Sequence, residues 1–295
     1  MVKSTHSTPQ SEARGMPSTR AQAEGLRVNT KRRFLPRFKN RCLAPSNVLI
    51  SDFRLQISHF KKIDRMKIEI ALKELQNIVI GCHQCPRLVD YLKEVSNHKP
   101  RRYRDWDYWS KPLPSFGDPD ARVLIVGLAP AAQGGNRTGR MFTGDRSGEW
   151  LFNALYQFGF ANQPNSFRRD DGFKLHDVYI TATIRCAPPK NKPLPEEIEN
   201  CRPYFLKELD LLKNIKIFIP LGQIAFTQTL RILRQKKLGI PHLSFGHGKV
   251  YPLSNGQTIV TTYHPSQQNT QTGKLTRPMF HRVFKLVKKE IEDKG

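Results

Sequence analysis

The sequence predicts an α/β protein built around a layered sheet, because short apolar runs alternate with helical patterns along the chain. Four runs rich in β-branched residues cover 121–127, 178–184, 215–221 and 258–263, and helical spacings near 147–158, 195–213, 222–236 and 277–292 follow or separate them. Continuous apolar strands interleaved with helices are typical of a buried parallel sheet. At 295 residues the chain is long enough to bury a core of that kind.

The N-terminal segment lacks any such pattern. Residues 1–60 contain eleven Lys or Arg and three acidic residues, and Ser, Thr, Pro and Gln are common up to about residue 47. We therefore predict a mostly disordered basic arm over 1–65 and a globular domain over 66–295. The arm either adds sequence-independent affinity for phosphates or is an extension without function, and an acid-poor transit peptide is a third interpretation.

The charge of the whole chain indicates a polyanionic partner. Lys and Arg number 49 against 25 Asp and Glu, which gives a formal net charge of +24. The arm carries only part of this excess, so the globular domain is basic in its own right. Nucleic acid is the first partner to expect, and an acidic membrane surface is the alternative. Since no run approaches the ~18 apolar residues of a membrane-spanning helix, the sequence predicts a soluble protein.

The first element predicted after the arm is a helix. Its apolar residues are spaced like one helix face and are Ile68, Ile70, Leu72, Leu75, Ile78 and Ile80. The pattern runs directly into Gly81 and Cys82, so the helix ends at a thiol. A Pro-rich and aromatic connector then leads to the first strand.

Sites in parallel sheets gather at the carboxyl ends of the strands, so the loops after the first, second and fourth apolar runs are the places to search. The first loop, 127–145, is rich in glycine, which permits close approach of a ligand to main-chain N–H groups. This composition indicates a phosphate or substrate cradle, and a merely flexible connection is the alternative. A nucleotide-binding P-loop is not matched, because Arg140 and Met141 stand where Lys and then Ser or Thr are required.

The other two loops each contribute one polar candidate. In the second loop, 185–193, prolines constrain the backbone around Asn191, whose amide can both donate and accept hydrogen bonds toward a base edge. In the third loop His264 follows an apolar strand directly. Taken singly, an Asn between prolines is more often a turn former than a base reader. A lone His at the end of a strand is a structural or surface residue at least as often as a catalytic one. Their convergence in one place is what a functional interpretation requires.

The chain has five cysteines, which are Cys42, Cys82, Cys85, Cys186 and Cys201. An odd count without an apolar leader segment argues against a secreted disulfide framework and for a reducing, cytoplasmic compartment. Cys82 and Cys85 form C-x2-C, and Cys186 and Cys201 form a second pair. Four thiols suit a tetrahedral metal such as zinc or an iron–sulfur cluster, and unliganded buried cysteines are the alternative. Cys42 lies in the arm and is expected to be a bystander.

Four sequence pieces, in this order, carry a family resemblance. They read GLAPAA at 127–132, GNRTGRMFTGD at 135–145, RCAPP at 185–189 and HPS at 264–266. Together they resemble the uracil-DNA glycosylase superfamily, and most closely its iron–sulfur type 5 branch. The resemblance covers about 78–289.

This resemblance implies a monofunctional DNA repair glycosylase that flips uracil, and other damaged bases, out of DNA and leaves an abasic site. It implies a three-layer α/β sandwich with a central, mostly parallel four-stranded sheet flanked by helices. The ligands of a 4Fe–4S cluster would be Cys82, Cys85, Cys186 and Cys201. Substrate would be bound by Gly127, Leu128, Ala129, Pro130, Ala131, Phe142 and Ser266, and the catalytic residues would be Asp145, Asn191 and His264.

We expect distinct roles for four of these residues. His264 donates a hydrogen bond to the carbonyl oxygen of the leaving base, Asn191 holds the base edge, and Phe142 stacks on the extruded ring. Asp145 stabilises the sugar cation or orients water, and the alternative is that it caps the following helix. Residues 267–273 would wedge the gap left in the duplex.

The sequence departs from other branches of the family in three places. Leu128 and Ala129 stand where an acid or Asn is expected, Ala182 occupies the end of the second strand, and Gln133 replaces a His of type 5. We therefore expect a broad substrate range. The main alternative interpretation is a non-enzymatic, basic nucleic-acid-binding protein with a structural zinc site. A nucleotide-dependent enzyme is a third interpretation. The protein is expected to act on DNA as a monomer.

Overall fold

The computed structural model describes the backbone of residues 47–293, together with the side chains of His59 and of residues 62–293. The helices of this part are α1 Asn47–Ile80, α2 Pro86–Asn97, α3 Gly135–Thr138, α4 Arg146–Gln157, α5 Pro195–Leu211, α6 Gln223–Gln235, α7 Gln267–Gln271 and α8 Arg277–Asp293. The strands are β1 Phe116–Gly117, β2 Val123–Gly127, β3 Val178–Ala182, β4 Ile217–Pro220, β5 Val250–Pro252 and β6 Thr258–Val260. Single turns of 3-10 helix cover Arg101–Tyr103 and Pro189–Asn191.

The strands form one mixed sheet in the order β1-β3-β2-β4-β6-β5. The four predicted strands are its parallel centre, since β2 pairs in parallel with β3 and β4, and β4 with β6. The sheet has six strands rather than the four expected, because β1 and β5 add antiparallel edges. These edge strands have two and three residues, which is too short for an alternating pattern to reveal them.

Two apolar cores, one on each face, make the structure a three-layer sandwich as predicted. Alternate residues of β2 enter different cores, so that Val123 and Ile125 pack with α4 and α8, whereas Leu124 and Val126 pack with α5 and α6. All five residues of β2 are therefore buried. Full burial of each large aliphatic side chain contributes about 1.5–3 kcal/mol, which explains why the strand sequences are continuously apolar.

The face of α1 differs from the prediction. Leu72, Leu75 and Val79 are buried, but Ile70 and Ile78 are 55% and 54% exposed. A 3.6-residue period allows a row at spacings of three and four, and Leu72, Leu75 and Val79 form that row. Ile70 and Ile78 lie off it, so the predicted six-residue face was too wide.

The N-terminal boundary also falls inside a helix. The predicted arm, 1–65, lies outside the described residues as far as residue 46, and Cys42 lies there too. Residues 47–65, however, are the first part of α1, and this stretch contains neither Gly nor Pro to interrupt a helix. Within it, Arg65 pairs with Glu69, at 3.0 Å, and with Asp120, at 2.8 Å.

A buried ion pair joins the end of β3 to α5. Arg185 is 1% exposed, and its Nη2 lies 2.7 Å from Oε2 of Glu208. The same carboxylate accepts a hydrogen bond from Oγ1 of Thr181, at 2.6 Å, and Arg185 also donates to Oγ of Ser115. Buried charges are tolerated only when they are paired and hydrogen-bonded, as here. The network thus fixes the segment that leads from β3 into Cys186.

Among the residues described, no helix combines the length and hydrophobicity that a membrane span requires.

Candidate active site

An open cleft of about 1070 Å³ lies at the carboxyl edge of the parallel strands. Nine of the ten predicted substrate and catalytic residues line it, namely Leu128, Ala129, Pro130, Ala131, Phe142, Asp145, Asn191, His264 and Ser266. The tenth, Gly127, lies behind the wall, where a Cβ atom would come within 3.0 Å of Cζ of Phe142. The loops after β2, β3 and β6 therefore meet in one place, as the strand-end rule requires.

Phe142 is held in an unusual backbone conformation. Its φ of 59° lies in the left-handed region, which costs free energy for a bulky residue and occurs most often at functional sites. Its carbonyl oxygen lies against α4, where a Cβ on Gly148 would approach it to 1.5 Å. Gly148 is therefore required for this conformation. As a result, the ring of Phe142 lies 6.3 Å from the imidazole of His264, centroid to centroid, at an interplanar angle of 32°.

The backbone around His264 is fixed by its own loop. Nδ2 of Asn269 donates to the His264 carbonyl oxygen, at 2.9 Å, and Oγ of Ser266 accepts from the Asn269 N–H, at 3.3 Å, capping α7. Gly222 leaves the space beside the imidazole, since a Cβ there would lie 3.3 Å from Cβ of His264. Burial lowers the pKa of His264 from 6.5 to about 4. The ring is therefore neutral at neutral pH, with one nitrogen as donor.

Asp145 has the helix-capping position that was the alternative interpretation, and it also lines the cleft. Its Oδ1 accepts the Gly148 N–H, at 2.8 Å, and caps α4. Burial raises the pKa of its carboxyl group, while the backbone N–H groups of Gly148 and Ser147 oppose that rise. A Cβ on Gly134 would lie 2.4 Å from Oδ2, so glycine is needed there to admit the carboxylate. Capping and a role in the cleft are compatible.

Asn191 lies on an exposed turn at the mouth of the cleft. Lys190 and Asn191 both have left-handed backbones, with φ of 54° and 56°, and the Asn191 N–H bonds the Pro188 carbonyl oxygen at 3.1 Å. Asn tolerates this conformation better than other non-glycine residues. The turn therefore presents the Asn191 amide in a defined place.

Two arginines of the glycine-rich loop are structural anchors. Arg137 donates to the carbonyl oxygens of Gln133, at 2.8 Å, and Gly144, at 2.9 Å, and so closes the loop on itself. Arg140 is 7% exposed and donates to Thr143 and to the backbone of a neighbouring loop. Arg140 is therefore not presented to a ligand phosphate, and the loop is a rigid wall rather than a flexible connection.

Several cleft residues were not among the sequence candidates. Gly222, Gln223 and Ile224 follow β4 and line the cleft. Lys190 and Lys274, which come from other loops, also line it. The residues after β4 had a usable signal, because the strand-end rule applies to the third apolar run as it does to the others. Lys190 and Lys274 had none, since single lysines on loops are common in a chain this basic.

The four predicted ligand cysteines converge below the first loop, and we call them the thiol cluster. Cys85, Cys186 and Cys201 share one apolar core with Ala129, while Cys82 packs with Val79 and Tyr204 in a neighbouring one. They come from separate elements: the end of α1, the N-cap of α2, the loop after β3, and α5. Burial, and then the neighbouring thiols, raise the pKa of Cys186. The pKa of Cys201 is raised to about 11, mainly by burial.

All four cysteines are free of disulfides. Among the described residues, no group of three or more His, Cys, Asp or Glu side chains has an arrangement that would hold one metal ion. The thiols are thus close enough to influence each other's titration without enclosing a single-ion site. Since Ala129 belongs both to the core around Cys186 and to the cleft wall, the thiol cluster supports that wall directly.

Comparison with known proteins gives one consistent result. The sequence model of the family described as Uracil DNA glycosylase superfamily matches residues 114–288. The chain is 48% identical over 204 residues, which cover 69% of it and 91% of the relative, to a protein named Type-5 uracil-DNA glycosylase from Thermus thermophilus. It is 47% identical over 201 residues, 68% of the chain and 84% of the relative, to a protein of that name from Pyrobaculum aerophilum. A protein named Type-4 uracil-DNA glycosylase from Pyrobaculum aerophilum is 30% identical over 198 residues, 66% of the chain and 83% of the relative.

Proposed function

Because this chain belongs to the uracil-DNA glycosylase superfamily, we propose that it is a DNA repair glycosylase that hydrolyses the N-glycosidic bond of uracil in DNA and leaves an abasic site. One observation of the structure carries the proposal. Phe142, Asn191 and His264 come from three different strand-end loops and line one cleft beside Asp145. A site for an everted base needs a stacking surface, hydrogen-bonding groups for the base edge, and a donor for its departing oxygen.

Breaking the N-glycosidic bond makes the base negative and the sugar positive, so the site has to serve both charges. On the base side, neutral His264 donates to the carbonyl oxygen as negative charge develops there. Phe142 stacks on the ring of the base, an interaction worth about 1–3 kcal/mol. Asn191 accepts from and donates to the base edge through its amide.

On the sugar side we assign Asp145. Its carboxylate stabilises the developing sugar cation and orients the attacking water. The oxygen of that water bonds to the sugar carbon as the bond to the base breaks, and the proton that the water loses ends on the departing base anion. Burial raises the pKa of this carboxyl group, and the N–H groups of Gly148 and Ser147 oppose that rise and favour the charged form that this role requires. The hydrogen bond to Gly148 fixes the carboxylate during the reaction.

We propose a substrate range that is broader than uracil. Leu128 and Ala129 are apolar where other branches of the family place an acid or Asn, and Ala182, at the end of β3, places an apolar side chain in the cleft wall. Fewer polar groups in the pocket mean fewer that are left unpaired by a different base. Other deaminated or damaged bases are therefore accepted.

We further propose that the thiol cluster holds a 4Fe–4S cluster. The four thiols lie near enough for three of them to raise the pKa of Cys186, which suits a group held by four cysteines, and the likeness to proteins named Type-5 uracil-DNA glycosylase favours the iron–sulfur cluster over the zinc of the alternative function. Burial keeps Cys186 and Cys201 protonated until a positively charged metal group lowers their pKa. Bound there, the group supplies a covalent link between α1, α2, α5 and the loop after β3. Free, reduced thiols are also what we expect of a cytoplasmic protein.

The deciding experiment is excision from a single-stranded oligonucleotide that contains one uracil, followed by alkali to cleave abasic sites. We expect cleavage at the uracil position and none in a matched oligonucleotide with thymine. Binding without cleavage would support the non-enzymatic alternative instead. Visible absorbance and iron content of the purified protein test the 4Fe–4S cluster, and stoichiometric zinc would contradict it.

The basic charge of the chain gives a second, independent test of DNA binding. If Lys and Arg contact phosphates, affinity for DNA falls steeply as salt rises, because bound counterions are released. A flat salt response would remove the electrostatic argument. We propose that the arm, residues 1–65, contributes to this term, that the glycosylase domain spans 66–295, and that the protein acts as a monomer.

A further inference from the structure

A second, smaller cavity adjoins the cleft on the other side of Asp145. Its volume is about 250 Å³, and Asp145 lines both cavities. Three aromatic side chains, Tyr103, Trp106 and Phe167, contribute to its walls. None of the roles assigned above uses it.

Phe167 is the feature of this cavity that packing does not explain. Its side chain is 62% exposed, next to the buried Ser166 and before the exposed residues 168–170. Exposing a large apolar side chain gains nothing for folding, and it is common on surfaces that bind another molecule. Phe167 therefore needs a reason to be there.

The loop that carries Phe167 is built rigidly. Asp171 accepts the N–H of Phe167 on Oδ2, at 2.7 Å, and buried Arg140 contacts the same carboxylate, at 2.5 Å. Arg140 also donates to the carbonyl oxygens of Arg168, at 2.6 Å, and Arg169, at 3.0 Å. Burial alone would raise the pKa of Asp171, but Arg140 and the N–H groups of Arg168 and Phe167 hold it down at about 2, so the anchor stays charged. Phe167 is thus presented in a fixed place at little entropic cost on binding.

Cations surround the aromatic rings of this cavity. Arg137 lies between Tyr103 and Trp106, with its guanidinium carbon 4.0 Å from each ring centroid. The guanidinium carbon of Arg168 lies 4.9 Å from the Trp106 ring centroid, and that of Arg102 lies 4.8 Å from the Tyr103 ring centroid. Arg102 and Arg168 are exposed. Aromatic rings interleaved with exposed cations are the arrangement that binds single-stranded nucleic acid.

The charges of the cavity decide which part of a nucleotide enters it. Asp145 and Glu149 line the cavity and would repel a phosphate, and the one cation among the lining residues, Arg137, is already engaged by the rings of Tyr103 and Trp106. The exposed Arg102 and Arg168 lie against those rings but do not line the cavity. A neutral nucleobase fits the interior and can stack on Phe167, while the phosphates beside it meet Arg102 and Arg168. A base in this cavity cannot pair with an opposite strand.

We propose that the second cavity binds the unpaired nucleobase next to the excised one, by stacking on Phe167, and so favours single-stranded DNA. This inference rests on the proposed function, since it takes the cleft as the place of the excised base. It assigns to Phe167 a specificity role rather than a catalytic one. The alternative occupant, an aromatic side chain of a protein partner, would leave DNA binding independent of Phe167.

The test compares Phe167→Ala with Tyr156→Ala. Tyr156 is also an exposed aromatic residue, at 48%, but it lies near the C-terminal end of α4, away from Asp145 at the N-cap. On single-stranded oligonucleotides with one uracil, Phe167→Ala is expected to raise KM at least about five-fold, the loss of one stacked base, with kcat unchanged. Tyr156→Ala should change neither, and Phe167→Trp should restore KM.

The oligonucleotides locate the effect. When the nucleotides are removed on the side of the uracil whose base enters the second cavity, the unmodified protein and Phe167→Ala should have the same KM. When they are removed on the other side, the difference in KM between the two proteins should remain. A difference that persists in both truncations, or an equal effect on paired duplex, would overturn the proposal. So would a change in kcat alone, or a result for Phe167→Ala that matches Tyr156→Ala.

A binding measurement separates this proposal from the proposed function. The affinity for a uracil-free single-stranded oligonucleotide does not depend on excision. We expect Phe167→Ala to weaken that affinity by a similar factor. If the unmodified protein releases no uracil but this loss is seen, the function is wrong and the base-binding cavity stands. If uracil is released and the affinity does not change, the cavity proposal is wrong and the function stands.

Discussion

The cleft and the thiol cluster lie against the same loop, yet burial has opposite consequences for them. In the cleft, burial lowers the pKa of His264 to about 4, which leaves the imidazole in the neutral form that donates a hydrogen bond. In the thiol cluster, burial raises the pKa of Cys186 and Cys201, which leaves the thiols in a form that binds no metal. The polypeptide alone therefore prepares the cleft, whereas the thiol cluster needs the positive charge of a bound metal group. Ala129 connects the two.

The largest effect should come from removing one thiol. Cys186→Ser is expected to lose most of the bound iron and the visible absorbance, to lower the unfolding temperature, and to abolish most uracil excision, because the wall around Ala129 loses its support. Iron analysis, absorbance and thermal unfolding measure this. Cys42→Ser is the matched control and should behave like the unmodified protein. Full iron content in Cys186→Ser would break the comparison.

His264→Ala should have the next largest effect, confined to the chemical step. Loss of one donor to a developing negative charge costs about 10²–10³ in kcat, while DNA binding stays nearly intact. Single-turnover excision and equilibrium binding measure the two quantities. His242→Ala, which changes an exposed histidine, is the control. Equal loss of rate and binding would reject the assigned role of His264.

A smaller effect is expected from Asn191. Asn191→Ala removes the amide and should lower kcat/KM for uracil about ten-fold, the worth of one good hydrogen bond to a buried base edge. Because Asn191 has a φ of 56°, alanine also strains the turn. Asn191→Gly relieves that strain without restoring the amide. Excision kinetics of both variants separate the two causes, and full activity of Asn191→Gly would show that the amide has no role.

The smallest expected effect is on the pH dependence of stability. The pKa of His264 is lower in the folded protein, about 4, than its ordinary 6.5, so the unfolded chain takes up the proton first. The free energy of unfolding should therefore fall as pH decreases from 6.5 toward 4, and His264→Gln should remove that part of the slope. The raised pKa of Asp145 acts in the opposite direction and is present in both proteins. Urea unfolding at pH 7 and pH 5 measures the difference, and identical slopes would contradict it.

Most of the central architecture could be predicted from the sequence. The four parallel strands and the helices after them follow from continuous apolar runs and helical spacing, and both signals are local. The edge strands β1 and β5 could not be predicted, because two or three residues carry no period. The face of α1 was misassigned at Ile70 and Ile78, since apolar residues beside a buried row look like part of it until the neighbouring elements are known.

The candidate site was predictable to a similar extent, and for a similar reason. Strand-end loops and the resemblance identified Phe142, Asn191 and His264, whose positions in the same cleft the structure gives, while their roles stay predictions. The residues after β4 and the second cavity around Phe167 were missed. Phe167 has no motif, and only its exposure and the bonds that fix its loop draw attention to it.

The sequence by itself determined the α/β class, the order of its elements, the residue types available for chemistry and the excess of positive charge, because each of these depends on residue identity or local spacing. The tertiary structure alone decided which of those residues meet. It placed His264 where burial keeps the ring neutral, brought four distant thiols below one loop, and left Phe167 exposed beside Asp145. Such outcomes depend on packing between segments far apart in the chain, and packing controls both distance and access to water.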